Sequence, residues 1–386
     1  MKPIKLSLCT LIAISTLSHL NAESSLEETL RKAVEDIKIS GFARTTYVVS
    51  KPNNADTSES LRYSGQLNVL YKNIDDLHFG ATLAADGYNY PHSNASIPMA
   101  GYTASNNKGL YVDRFYLKYL NSGFELIGGK YDITSPWTET GYNSSRGNGL
   151  SALYKGVQDW TFAGLVFVQT NGFDDTNLGV DLGSNHNYYA AGVTGGLKDI
   201  GLDIQLWTGA YENVLESMLY TDIRYTLGGF RIRGQANYAK INTSFASEKG
   251  IVGEEGLYYG IELRYTHDLF WLKGIYTKND KDQPLYTVDG DNGGFLTSGK
   301  YEAINIANAK RYSIGVGKNF NNLRLEGSYS NFDNGTIKSN GESIEIGYRY
   351  KKVFDASLEL GYKTKTGADG EKKKTKSATL ETYYFF

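Results

Sequence analysis

From Ile37 to Phe386 apolar residues recur at every second position, in one short run after another. Ile37, Ile39, Gly41, Ala43, Thr45 and Tyr47 alternate with Lys38, Ser40, Phe42, Arg44 and Thr46. Leu61, Tyr63, Leu67, Val69 and Tyr71 alternate with Arg62, Ser64, Gln66 and Asn68. Phe115, Leu117 and Tyr119 alternate with Arg114, Tyr116 and Lys118. Successive side chains of a strand point to opposite faces, so each run has one apolar face and one that suits water. Eighteen runs can be placed, among them 37–49, 61–72, 110–120, 124–132, 149–155, 310–320, 342–350 and 376–386.

The links between runs differ in length. Asn73–Asp76, Asn121–Gly123, Lys198–Gly201, Gly228–Gly229 and Asn321–Asn322 are tight turns. Tyr88–Gly109, Asn171–Asn187, Asn242–Glu255 and Asn279–Ala309 are long. Short turns on one rim and long loops on the other, with an even strand count, describe an outer-membrane barrel. Composition agrees: 31 Tyr and 43 Gly against only 6 Pro suit long paired strands with aromatic belts. After residue 22 no apolar run reaches the ~18 residues of a membrane helix, so a membrane-spanning chain of this kind has to close into a barrel. The expected fold is all-β: a transmembrane antiparallel β-barrel of about 18 strands with an inward-folded constriction loop.

The N-terminus carries Lys2 and Lys5, an apolar run from Leu6 to Leu17, and Leu20-Asn21-Ala22 at a cleavage site. Residues 1–22 read as a secretory signal peptide. Cys9, the one cysteine, lies inside it, so the remainder has no thiol or disulfide chemistry. Removing Lys2 and Lys5 but no acid moves the formal charge from -2 to -4, a balance that does not suit nucleic acid. Residues 23–36 form a short lead-in: Ser25 with Glu28 makes a capping box, and Leu26, Leu30 and Val34 recur at helical spacing. The barrel domain is 37–386. Its last strand ends on Phe386, a terminal aromatic of the kind that barrel-assembly machinery takes up.

One non-periodic segment interrupts the alternation. Asp132 to Leu150, D-I-T-S-P-W-T-E-T-G-Y-N-S-S-R-G-N-G-L, carries a proline, a tryptophan and both signs of charge. It is either an ordinary surface loop or a loop that folds inward and narrows the lumen. Strand parity puts Arg44, Arg62 and Arg114 on the water face of early strands. Facing the loop acids Asp132 and Glu139, with Arg146 as the loop's base, they would set a transverse field at the narrowest point. Further acids, Asp181, Asp289 and Asp291, lie in loops that can overhang the mouth, and they tip the expected ion preference toward cations.

Outer-membrane barrels can be enzymes, through a Ser–His pair or an Asp–His cluster. Only His78, His92, His186 and His267 follow the signal segment, and none lies in a nucleophile motif. His78 and His267 are near short turns, and His92 and His186 are in long loops. An enzyme is not expected. A channel specific for one solute is the alternative, and aromatics along the lumen would signal it. Trp137, Trp160, Trp207 and Trp271 are scattered, with Trp160 and Trp271 placed as interfacial girdle residues. A structural or adhesin barrel is a further alternative.

The motifs G-L-Y-V-D-R-F-Y-L-K-Y (Gly109–Tyr119), I-G-G-K (Ile127–Lys130), I-T-S-P-W-T-E (Ile133–Glu139), G-N-G (147–149) and Q-L-W-T-G-A-Y (Gln205–Tyr211) carry a resemblance. So does S-L-E-E-T-L-R-K-A-V-E-D-I-K-I-S-G near the start. The chain resembles the major outer membrane protein porins of the Campylobacter-type epsilon-proteobacteria. The resemblance implies an eighteen-stranded homotrimeric porin of the bacterial outer membrane, passing ions and small hydrophilic solutes. Membrane lipids and lipopolysaccharide would surround it. It also implies that calcium can sit near the constriction. The matching positions are Asn143, Asp181 and Asp289, and Asn143 stands where a carboxylate is expected, so one hard anionic donor is missing. Solvated loop acids are the other reading of these positions, and no cofactor is required.

Overall fold

The computed structural model describes residues 35–53, 55–74, 76–89, 109–138, 145–171, 174–175, 180–181, 186–251, 253, 255–281, 295–296 and 306–386. The signal segment, almost all of the lead-in, and His92 lie outside them. In chain order the strands are β1 (Ile37–Pro52), β2 (Ser58–Ile74), β3 (Leu77–Asn89), β4 (Gly109–Asn121), β5 (Phe124–Asp132), β6 (Arg146–Tyr154) and β7 (Trp160–Asn171). Two short ones follow, β8 (Asp174–Asp175) and β9 (Val180–Asp181). Next come β10 (Tyr188–Leu197), β11 (Leu202–Tyr211), β12 (Leu215–Leu227), β13 (Phe230–Ile241), β14 (Glu255–Thr266) and β15 (Trp271–Asn279). The last are β16 (Lys310–Phe320), β17 (Leu323–Asp333), β18 (Lys338–Tyr350), β19 (Phe354–Thr366) and β20 (Lys372–Phe385).

β8 and β9 pair only with each other, and the other strands form one 18-stranded antiparallel sheet. Each barrel strand pairs with the next, β7 with β10 included. β20 returns to β1, from Phe42↔Phe385 to Pro52↔Thr375, and closes the ring. At the seam Gly41 N donates to Phe386 O at 2.9 Å and Phe386 N donates to Gly41 O at 3.1 Å. Closure matters because an unpaired backbone group facing lipid costs several kcal/mol, and a closed sheet has no edge.

β14 shows which face is which. Leu257, Tyr259, Ile261 and Leu263 are exposed, whereas Tyr258, Gly260 and Glu262 are buried. Apolar residues outside and a carboxylate inside are the reverse of a water-soluble sheet and the pattern of a barrel in lipid. The short-turn rim is built for it too. Ser122 and Gly123, at φ 41° and 85°, turn β4 into β5 as a two-residue hairpin with both central residues left-handed. Among the described residues no helix is long and apolar enough to cross a membrane, so the crossing is made by strands.

The strand count agrees with the eighteen alternating runs. Their ends do not always. β6 begins at Arg146 rather than at 149, and β18 at Lys338 rather than at 342. The link after β13 contains a helix, α1 (Thr243–Lys249), where the sequence reading expects an irregular loop. Asn242 caps it, its side chain accepting from Phe245 N at 3.1 Å, and the helix stops at Gly250.

Candidate pore constriction

At Asp132 the chain leaves the barrel wall. Ile133 N still reaches Ser145 O at 2.8 Å, and Ile133–Thr138 turns into the lumen. Ser135 to Thr138 is a tight turn with Pro136 at its second position, where a fixed φ is favourable. Thr138 Oγ1 donates to Ile133 O at 2.7 Å and accepts from Ser135 N at 2.9 Å. The turn aims Trp137 at the inner face of the β10–β13 wall. Its indole is fully buried and donates through Nε1 to Asn237 Oδ1 at 2.6 Å. The ring meets Tyr220 edge-on at 6.3 Å. Tyr188 donates from its hydroxyl to Ser135 Oγ at 2.8 Å. Ile133, Trp137, Tyr188, Tyr211, Met218 and Tyr220 belong to one buried cluster. Of the two readings of the loop, the surface one is therefore excluded for Ile133–Thr138.

A second stretch comes in beside it. Phe295 packs edge-on against Tyr220 at 5.7 Å and Tyr258 at 5.6 Å. Leu296 N donates to Gln235 Oε1 at 2.6 Å, and the Tyr258 hydroxyl donates to Leu296 O. Edge-on pairs of this kind contribute ~0.5–1.5 kcal/mol beyond their burial. Both stretches contact Tyr220. Together they fill space along the inner faces of β10–β14.

The inner face of the early strands is charged. Arg114 Nε donates to Asp132 Oδ1 at 2.6 Å, and Arg146 Nε stands 3.1 Å from Asp113 Oδ2 and 3.4 Å from Asp132 Oδ1. Gln66 Nε2 donates to Asp113 Oδ2 at 3.3 Å and Gln66 Oε1 accepts from Arg114 Nη1 at 3.3 Å. Arg44 Nε donates to Glu381 Oε1 at 2.8 Å across the seam, its guanidinium lying 5.3 Å from the centre of the Tyr383 ring. Arg62 is paired with Thr46 and so shares a face with Arg44, which is two residues along β1. On the filled side, Arg233 Nε donates to Asp222 Oδ2 at 2.8 Å and Arg231 Nε to Glu262 Oε1 at 3.1 Å.

The structure thus brings Arg114, Asp132 and Arg146 together and places Arg44 and Arg62 on the neighbouring wall. Asp132 stands beside Arg114, not across the lumen from it. Glu139, Asn143, Asp289 and Asp291 lie outside the described residues, and of Asp181 only its backbone pairing with Asp174 is described. Among the described residues no group of three or more His, Cys, Asp or Glu is placed to hold a metal.

Asp113 is the residue that sequence reasoning missed. Strict alternation puts it on the lipid face between Val112 and Arg114. A register shift pairs Leu83 with Val112 and Thr82 with Arg114, so Asp113 is the extra residue of a bulge. The bulge turns its carboxylate inward, where it is 2% exposed. Phe295 and Leu296 were missed as well, and the only signal for them is an apolar pair in a long polar stretch, D-N-G-G-F-L-T. The tryptophans also divide differently. Trp160 pairs with Gly195 on the lipid face, as expected. Trp271 is buried on the lumen side with Arg264 and Lys273 over its ring at 5.0 and 5.6 Å, so it is no girdle residue.

The model of the Campylobacter major outer membrane protein family matches residues 1–252. No curated protein matches the chain. Among solved structures, Pseudomonas aeruginosa OccK2 (OpdF) superposes with a TM-score of 0.73 at 14% identity, covering 91% of this chain and 98% of that one. OccK8 (OprE) from the same organism gives 0.71 at 13% identity, with 91% and 98% covered. OpdK, solved with vanillate, gives 0.68 at 13%, with 91% and 99% covered. These likenesses concern the fold. The family match fits a closed barrel with a polar lumen and an apolar outer face: this is a porin of the bacterial outer membrane, and the chain belongs to the Campylobacter major outer membrane protein family.

Proposed function

We propose that the porin is an open diffusion pore for ions and small hydrophilic solutes, without catalysis and with a mild preference for cations. The observation that carries this is the lining of the lumen: Trp137 and Phe295 are pinned to the wall that includes β12–β14, and the inner face of the early strands is lined with charge. A solute passing there exchanges bulk water for side chains that hydrogen-bond it, which favours polar solutes over apolar ones. The charges described at the narrowing nearly cancel: Arg114 and Arg146 against Asp113 and Asp132, and Arg44 against Glu381. A net bias therefore rests on Glu139, with Asp181, Asp289 and Asp291 at the mouth. Calcium held by Asn143, Asp181 and Asp289 would reduce that bias, and conduction does not depend on it. A homotrimer, delivery by barrel-assembly machinery and contact with lipopolysaccharide complete the proposal.

Planar-bilayer recordings test it. The purified protein is expected to give stepwise ohmic conductance and a zero-current potential of cation sign in a salt gradient. A channel specific for one solute is the second reading. It is favoured by the inward tryptophan Trp271 with its two cations, and by the vanillate and glucuronate held in the OpdK and OccK2 structures. Saturable uptake of a single solute into liposomes would select it over free diffusion.

A further inference from the structure

The outer face of the barrel carries one row of residues that the membrane alone does not explain. Strand register aligns Lys278 with Lys310, Lys310 with Asp333, Asp333 with Lys338, Lys338 with Thr366 and Thr366 with Lys372. The row crosses six neighbouring strands, β15 to β20, at the long-loop rim. At ~4.8 Å between strands it runs about 24 Å. Parity fixes its direction. On β16 the exposed apolar residues are Tyr312, Ile314 and Val316, and Lys310 is in phase with them. On β20 the exposed Leu380 and Tyr384 share one face, with Phe385 exposed at the strand's very end, and Lys372, Lys374 and Lys376 are in phase with Leu380 and Tyr384. Lys376 is then paired with Lys51 of β1. All of Lys51, Lys310, Lys338, Lys372, Lys374 and Lys376 are exposed.

Like charges directly opposite each other on one face of a sheet are unfavourable. Lys278 faces Lys310 and Lys376 faces Lys51. The acids in phase with them on these strands are Asp333, 3.2 Å from Lys338 Nζ, and Glu342. They leave the face strongly basic. The other rim is different. There the outward side chains are aromatic or aliphatic, such as Tyr225, Phe230, Phe320, Tyr348 and Tyr384. Lys318 is the cation among them, held 4.5 Å from the centre of the Phe320 ring. A single general attraction to lipid would not produce that difference between rims. An outer leaflet with phosphorylated head groups would, because short turns face the periplasm and long loops face outward.

We propose that the β15–β20–β1 face is a binding surface for the phosphorylated glycolipid of the outer leaflet, lipopolysaccharide. The lysine row takes the head-group phosphates, and Leu360, Leu380 and Ile344 below it take the acyl chains. The proposal rests on the outer-membrane reading of the barrel and adds the site. A cationic row matches phosphates as point charges and is not tied to one geometry.

The test uses the full-length protein and purified lipopolysaccharide in detergent, with bound lipid counted by native mass spectrometry. Lys372→Gln with Lys374→Gln and Lys376→Gln is expected to weaken binding roughly tenfold or more at low salt. Lys310→Gln with Lys338→Gln gives a second variant on other strands and is expected to weaken it as well. Lys373→Gln, on the same strand but the inner face, is expected to leave binding unchanged. Dephosphorylated lipopolysaccharide is expected to bind the native protein as weakly as intact lipid binds the triple variant. Undiminished binding by both multiple variants, or equal binding of the dephosphorylated lipid, overturns the proposal. Loss of the oligomer in the triple variant with the lipid count unchanged overturns it too, and makes the face a contact between copies. Cell fractionation separates the two levels: variants found in the outer membrane with unchanged binding remove only this site, whereas native protein absent from that membrane removes the outer-membrane reading with it.

Discussion

Trp137 and Asn237 lie a hundred residues apart, and their hydrogen bond holds the inward loop to the wall. Asn237→Ala leaves a buried indole N–H without its acceptor, at a cost of about 1–3 kcal/mol to that contact. Trp137→Ala removes the ring as well, and truncations of this size cost about 3–5 kcal/mol. Single-channel conductance is expected to rise in both variants, more in Trp137→Ala, because the loop no longer keeps to one side. Unchanged conductance in Trp137→Ala would show that the loop does not define the narrowing. Asp113 allows a separate prediction. Asp113→Asn leaves Arg114 and Arg146 sharing one carboxylate, so the zero-current potential is expected to move toward anions at low salt. High salt should suppress the shift, since screening shortens to ~3 Å at 1 M.

At the scale of elements, alternation was legible wherever side chains keep strict period two. It failed where the backbone inserts a residue, as at Asp113, because a bulge shifts the phase without leaving a mark in composition. It also failed at α1, although Asn242 and Gly250 flank that helix as caps. Both signals are short, and a polar stretch between two strands hides them. The seam between β1 and β20 was visible only as a terminal run ending in Phe386. Its cause is local: a Cβ added at Gly41 would stand 2.3 Å from Gln66 O and 2.6 Å from the Phe386 ring. Gly41→Val is therefore expected to block closure, so that the unheated protein runs on cold electrophoresis where the boiled one does and its heat-modifiability is lost. Normal mobility of that variant would show that the seam can open to admit a side chain.

For the whole molecule, the fold followed from a repeating local pattern, whereas the site depends on contacts across the barrel. The sequence pointed to Asp132, Arg114 and Arg146 as site residues, yet not to their standing side by side. The apolar pair Phe295-Leu296 does not reveal where it packs, since the partners of Phe295, Tyr220 and Tyr258, come from earlier strands. Near-cancellation of the described charges makes selectivity sensitive to a single added or lost charge. Glu139→Gln is expected to move the zero-current potential toward anions at low salt, and Arg62→Gln toward cations. An unmoved potential in Glu139→Gln would assign the cation preference to the mouth of the pore.

The Gly41–Phe386 seam has one more implication. Once β20 is bonded to β1, the ring has no first strand, and the place where its covalent chain is cut becomes a matter of gene order. A circular permutant can carry residues 1–22 ahead of Asn322, pass through β20, continue by a linker of about five residues to Ile37, and end at Phe320. Phe320 is an exposed aromatic at the end of β16, so the rearranged chain would still finish on an outward-facing phenyl ring. If the barrel is defined by pairing and not by chain order, this permutant should reach the outer membrane and conduct like the parent.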